Sequence, residues 1–117
     1  LRGKISGEIG RAGEETAAQY LRAQHYFILA QNYYSHFGEI DIVAKAQDQT
    51  IVFVEVKTYK PHSLVHPLEA ITPSKKKHLR KTALWYLARH HLDNAQARFD
   101  LVIVENRQVV DHLENIF

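Results

Sequence analysis

GEIDIVAKAQDQTIVFVEVKT, Gly38 to Thr58, decides the fold. Glu39–Ala46 alternates polar and apolar residues, and Thr50–Thr58 is the most β-branched segment of the chain, so both read as strands. Gln47, Asp48 and Gln49 form the polar break between them and close a hairpin. In the simplest register, facing positions have numbers that sum to 96. Asp41 then faces Glu55 and Glu39 faces Lys57. Because side chains alternate along a strand, all four share one face, with opposed Cβ atoms roughly 4.5–5.5 Å apart. The run Ile51–Val54 is apolar on both faces, as in a strand at the centre of a sheet.

Outward from this hairpin the chain has a consistent plan. Upstream, Arg11–Gln24 is rich in Ala, Glu, Gln and Leu, with Ala17, Ala18 and Leu21 as an apolar stripe, and predicts a helix. Tyr26–Tyr34 is aromatic and β-leaning, and Ser35–Gly38 is a turn. Downstream, Pro61, Pro67 and Pro73 punctuate an irregular segment with room for a short helical turn at Leu68–Ile71. Thr72 as N-cap and Pro73 at the first helical position then open a helix that runs to about His91, its inward stripe being Leu79, Ala83, Tyr86, Leu87 and His90. Arg98–Glu105 is a further strand and Val109–Leu113 a short edge strand. The order predicts one α/β (α+β) domain over residues 10–117, with residues 1–9 disordered or outside the core.

Composition narrows the chemistry. At 117 residues the chain suits a single core, and 45% hydrophobic with 24% charged residues is the balance of a globular protein. Without cysteine, a metal could be held only by oxygen or imidazole. The eight histidines show no ligand spacing and read as ordinary polar positions. No apolar run is long enough to span a bilayer and no signal-peptide pattern opens the chain, so no membrane association and a cytoplasmic location are expected. The net charge of +2 permits a nucleic-acid partner without implying one. Glycine-rich phosphate loops, nucleophile elbows and dinucleotide fingerprints are absent from the sequence.

Two opposed carboxylates on apolar strands repel and are costly to desolvate unless one is protonated or a cation lies between them. Magnesium or manganese would resolve that conflict at Asp41 and Glu55. Lys57 beside the ion could orient water or stabilise charge on a phosphorus in flight. A solvated ladder of cross-strand charges would present the same residue types, and spacing alone leaves the two readings level. Glu14 and Glu15 suit a helix start by charge alone. Lys75–Lys81 (KKKHLRK) reads either as a solvated helix face or as a phosphate-contacting one. Trp85, Tyr33, Tyr34, Tyr59 and Tyr86 could stack bases, though packing is the commoner role of such rings.

The runs GRAGEETAAQYL, FGEIDIVAK, IVFVEVKTY and ARFDLVIVE, in this order, resemble the YraN-like family of small bacterial proteins from about Gly10 to Phe117. That family is similar to the PD-(D/E)XK nuclease superfamily, including archaeal Holliday junction resolvases. The resemblance implies a restriction-endonuclease-like or tRNA-endonuclease-like fold, a central mixed β-sheet flanked by helices. It implies a catalytic set of Glu14, Asp41, Glu55 and Lys57. The metal would be held by Asp41, Glu55, the Val56 backbone carbonyl and Glu14, the last directly or through water. Ile40 stands where the superfamily commonly has proline. Glu39 would hold Lys57 by an ion pair, and Lys75 would be the basic residue nearest the site, with Lys76, Lys77, Arg80 and Lys81 contacting nucleic acid. Arg98, Arg22 and Lys60 are weaker candidates for that contact. The implied activity is magnesium- or manganese-dependent endonucleolytic cleavage of structured nucleic acid, branched DNA first, by a homodimer. The rival reading is a non-catalytic nucleic-acid-binding or adaptor protein that kept the fold.

Overall fold

A computed structural model of the chain describes residues 2–60 and 64–117, with side chains described for 11–60 and 64–117. The elements are α1 (Arg2–Ala23), β1 (Phe27–Ser35), β2 (Gly38–Lys45), β3 (Ile51–Thr58), a 3₁₀ turn (Pro67–Ala70), α2 (Pro73–Arg89), β4 (Ala97–Glu105) and β5 (Gln108–Leu113). The five strands form one sheet in chain order, antiparallel at every junction except β3–β4, which is parallel. A parallel pair needs a long crossover, and the 3₁₀ turn with α2 supplies it. This is the mixed sheet flanked by helices that the resemblance implies, a compact α+β architecture consistent with a restriction-endonuclease-like fold.

Each helix covers one face of the sheet. Ala17, Ala18 and Leu21 of α1 pack on Ile42, Ala44, Val52, Val54, Val102 and Val104. Leu79, Ala83, Tyr86 and Leu87 of α2 pack on Ile40, Val43, Ile51, Phe53, Leu101 and Ile103. β3 therefore has apolar neighbours on both sides, which is why Ile51–Val54 is a continuous hydrophobic run rather than an alternating one.

Local signals behave as their chemistry dictates. The Thr72 hydroxyl accepts from the Lys75 backbone N–H at 3.2 Å, with Pro73 starting the helix where no N–H is needed. Between Lys45 and Ile51 the Ala46 N–H still donates to the Thr50 carbonyl at 2.9 Å, which leaves the expected three residues as the turn, with Gln49 in the left-handed region at φ 75° and the Asp48 carboxylate accepting from Thr50 N–H at 3.0 Å. α1 begins at Arg2, well before the expected Arg11. Gly3, Gly7 and Gly10 lower helix propensity in this stretch but, unlike proline, leave every backbone donor in place. The expectation that residues 1–9 stand outside the core concerns side chains that lie outside the described residues.

Candidate metal centre

The site lies where the β2–β3 ladder ends. Pairing runs from Lys45↔Ile51 to Ile42↔Val54, the register expected from the loop length, and goes no further. Beyond it the Val56 N–H donates to Asp41 Oδ2 at 2.8 Å, so a side chain replaces the neighbouring strand as acceptor. β2 turns over at the same point. Ile40 packs on the α2 side and Ile42 on the α1 side, although residues two apart in a regular strand share a face. On β1 the residue opposite Asp41, between the pairs Gln31↔Ile42 and Tyr33↔Ile40, is Asn32, with φ 53°. Both strands thus leave regular geometry on one rung, where Asn32 and Asp41 lie close enough to the side chain of Glu14 to favour its anion.

Glu14 reaches this rung because Gly13 lets α1 approach β3 closely. A Cβ at position 13 would lie 3.3 Å from Thr58 Oγ1 and 3.9 Å from Val56 Cγ1. Glu14, Glu39 and Asp41 each present a carboxylate oxygen, all within 4.8 Å of one another. Glu14 Oε1 is buried with no hydrogen-bond partner. Glu55 stands beside this trio, its charge acting on Asp41, and is paired with lysine: its Oε2 lies 2.8 Å from Lys75 Nζ and 3.9 Å from Lys57 Nζ. These groups, with Val56, Thr72, Ser74 and His78, line a cleft of about 510 Å³.

The crowding of acids shows in their protonation. Burial, followed by the Glu55 charge, pushes the Asp41 carboxyl up to about 8, despite the Val56 N–H that favours its anion. Glu14 is raised by burial and, less, by the charges of Glu39 and Glu55, with Asn32 opposing. Glu39 is raised by burial and Glu55, with the Tyr34 hydroxyl and Lys75 opposing. Burial and the nearby Lys75 lower Lys57. For Lys75, burial is outweighed by Glu55 and the ammonium is held more firmly. Protons here do what a divalent cation would do, and the donor set of hard oxygens with one unpartnered acceptor fits magnesium or manganese.

Of the residues singled out from sequence, Glu14, Asp41, Glu55, Val56, Lys57 and Lys75 meet in the cleft. Glu39 is there in a different role. It joins the carboxylate trio, whereas the ion pair of Lys57 among the described residues is with Glu55. The basic run does not form one surface. Lys75 points into the cleft, Lys76 and Arg80 lie over the Phe117 ring at 5.6 and 4.9 Å, Lys81 lies 5.8 Å over Phe37, and Lys77 is exposed.

Arg22 and Lys60 are exposed, but Arg98 is not a free surface cation. Its guanidinium bonds Asp100 at 3.0 Å and Tyr26 at 2.7 Å. Asp100 is fully buried and also takes His112 Nε2 at 2.8 Å and Asn115 N–H at 3.0 Å. His112 is therefore no ordinary polar position, and its Nδ1 contacts the Tyr20 hydroxyl at 3.0 Å. Tyr33 and Tyr86 pack edge to face in the core at 5.0 Å. Asn32 and His78 were not foreseen as site residues, and Tyr34, considered as a base-stacking ring, sets its hydroxyl against Glu39. The one sign of Asn32 in the sequence is its type, since asparagine tolerates positive φ best after glycine.

No helix among the described residues is long and apolar enough to cross a membrane. Residues 13–104 match the model of the uncharacterised protein family UPF0102. The chain is similar to the UPF0102 protein of Pelobacter propionicus, 42% identical over 113 residues, covering 92% of this chain and 81% of that protein. Its likeness to the UPF0102 protein of Syntrophomonas wolfei is 40% over 116 residues, covering 97% and 100%. To that of Syntrophus aciditrophicus it is 47% over 95 residues, covering 81% and 74%. With a matched region that includes Glu14, Asp41, Glu55 and Lys75, the chain belongs to the UPF0102 family.

Proposed function

We propose that this protein is a metal-dependent endonuclease that hydrolyses phosphodiester bonds in structured nucleic acid, of the PD-(D/E)XK type. The observation that carries the reading is the trio of Glu14, Glu39 and Asp41 oxygens within 4.8 Å, beside a Glu55 already paired with lysine. Asp41 and Glu14 would hold the ion, with Glu39 and the Val56 carbonyl completing its oxygen shell. Magnesium or manganese supplies Lewis-acid activation of a phosphoryl oxygen and of water when bound. Lys57, its ammonium destabilised by burial and by Lys75, would orient the attacking water and, as the neutral amine, could accept its proton, or as the ammonium stabilise the charge that develops on the phosphoryl oxygens. Lys75 neutralises Glu55 and can donate to a phosphate oxygen that enters the cleft.

The resemblance makes branched DNA the first substrate to try and a homodimer the first assembly. The test is a labelled panel of four-way junction, flap, duplex, single-stranded DNA and structured RNA, with magnesium or manganese, wild type against Lys57→Ala. Metal-dependent product that falls roughly 10²–10³-fold in the variant supports the reading. Binding to the panel with no cleavage under either metal overturns it in favour of the non-catalytic adaptor.

A further inference from the structure

Beside the cleft lies an aromatic surface that the proposed chemistry does not use. His36 and Phe37 form the tip of the β1–β2 turn, their ring centroids 4.0 Å apart, and Trp85 of α2 stands 6.2 and 6.3 Å from them. Trp85 is 39% exposed and Phe37 also lines the cleft with Asp41 and Lys57. This turn is held in place. Ser35 Oγ meets Thr82 Oγ1 of α2 at 3.2 Å and accepts from the Phe37 N–H at 3.1 Å. Gly38 takes φ 150°, which a side chain would resist.

Charge completes the surface. Lys77, Lys81, Trp85 and Arg89 recur every fourth residue along α2, and so form one stripe with successive members about 6 Å apart along the axis. Lys81 lies 5.8 Å over the Phe37 ring and Arg89 lies 5.5 Å over Trp85. Neither cation has a carboxylate partner among the described residues. Flat rings held rigidly, alternating with unpaired cations, complement a strand whose bases are free to stack and whose phosphates are anionic. A closed duplex offers no free base face.

We propose that the His36–Phe37 turn and the Lys77–Arg89 stripe dock an unpaired stretch of nucleic acid next to the bond to be cut, with Phe37 and Trp85 stacking its bases. The inference rests on the nuclease reading and specifies its substrate: a junction between paired and unpaired strand. Trp85 is the single tryptophan, so its emission reports on the platform directly. The experiment titrates the full chain, in EDTA so that nothing is cut, with a blunt DNA duplex and with the same duplex carrying a single-stranded overhang.

The overhang should quench Trp85 emission and the blunt duplex should not. By anisotropy of the labelled DNA, Trp85→Ala should weaken overhang binding roughly tenfold and leave blunt-duplex binding nearly unchanged. Trp85→Phe should recover most of the loss, which separates stacking from a folding defect. Equal affinity for both DNAs, unmoved by either variant, overturns the platform while leaving the nuclease reading to its own cleavage assay. Failure of both DNAs to bind at any salt overturns the two together.

Discussion

Asp41 is the residue at which opposing demands meet, since the Val56 N–H favours its anion while burial among other acids favours its protonated form. Its carboxyl is raised to about 8, far above its value in an unfolded chain. A group so raised stabilises the fold fully below its unfolded pKa, and that contribution is lost as pH rises through the folded value. In EDTA the melting temperature should therefore fall between about pH 5 and about pH 8, and Asp41→Asn should flatten that fall. At the alkaline end, magnesium should stabilise the wild type by about 2.7 kcal/mol at a hundredfold excess over Kd, and so raise its melting temperature, but not that of Asp41→Asn. An unchanged magnesium response in the variant would remove Asp41 from the site.

Asn32 gives a second test at this scale. Asn32→Gly keeps the left-handed backbone and loses the amide that faces Glu14, whereas Asn32→Ala loses both. Calorimetric titration with manganese should weaken equally in the two variants. Urea melts should show Asn32→Ala less stable than Asn32→Gly by ~1 kcal/mol.

At the scale of elements, the site depends on how closely α1 lies on β3. Gly13→Val would push its side chain onto Thr58 Oγ1 and Val56, lift the helix and withdraw Glu14. A loss of about 1–3 kcal/mol in a urea melt is expected, with weaker manganese binding, and Thr58→Ala should restore part of both. The same scale explains what could be read in advance. A three-residue loop fixed the β2–β3 register, so the approach of Asp41 to Glu55 followed from counting. Thr72 and Pro73 announced α2 through local chemistry alone. The partner of Glu39 was misread because the ladder stops at Ile42↔Val54, so the rung joining Glu39 to Lys57 never forms. In FILAQNYYS only the residue type of Asn32 hints at where β1 departs from alternation, and the type alone does not say that Glu14 of α1 will lie beside it. The tie of Arg98 and His112 to Asp100 was equally hidden, because it needs β5 and the residues after it folded back on β4.

Across the whole molecule that buried cluster is the counterweight to the cleft. Asp100 joins β4 to the end of the chain through His112 and Asn115, and His112 carries the link to Tyr20 on α1. Burial would raise Asp100, but His112, Arg98 and the Asn115 N–H hold it below the usual carboxylate range. A depressed group contributes stability above its unfolded pKa and loses it as pH falls through the folded value. Acid thus weakens this end of the molecule while alkali weakens the metal-free cleft. Asp100→Ala, which strands Arg98, should cost about 3–5 kcal/mol in a urea melt at neutral pH.

The order of the strands has a further consequence. Every sheet junction but one closes through a short turn, and the exception, β3 with β4, must wait for the chain to travel from Thr58 to Ala97. That closure should set the entropic barrier to folding, with α2 bridging it. In stopped-flow chevrons, Leu79→Ala should slow refolding, whereas Tyr33→Ala in the first hairpin should chiefly hasten unfolding. Lys75 and Lys57 would then come together over Glu55 as the chain crosses its rate-limiting step, with the acidic cleft assembled on the native side of the barrier.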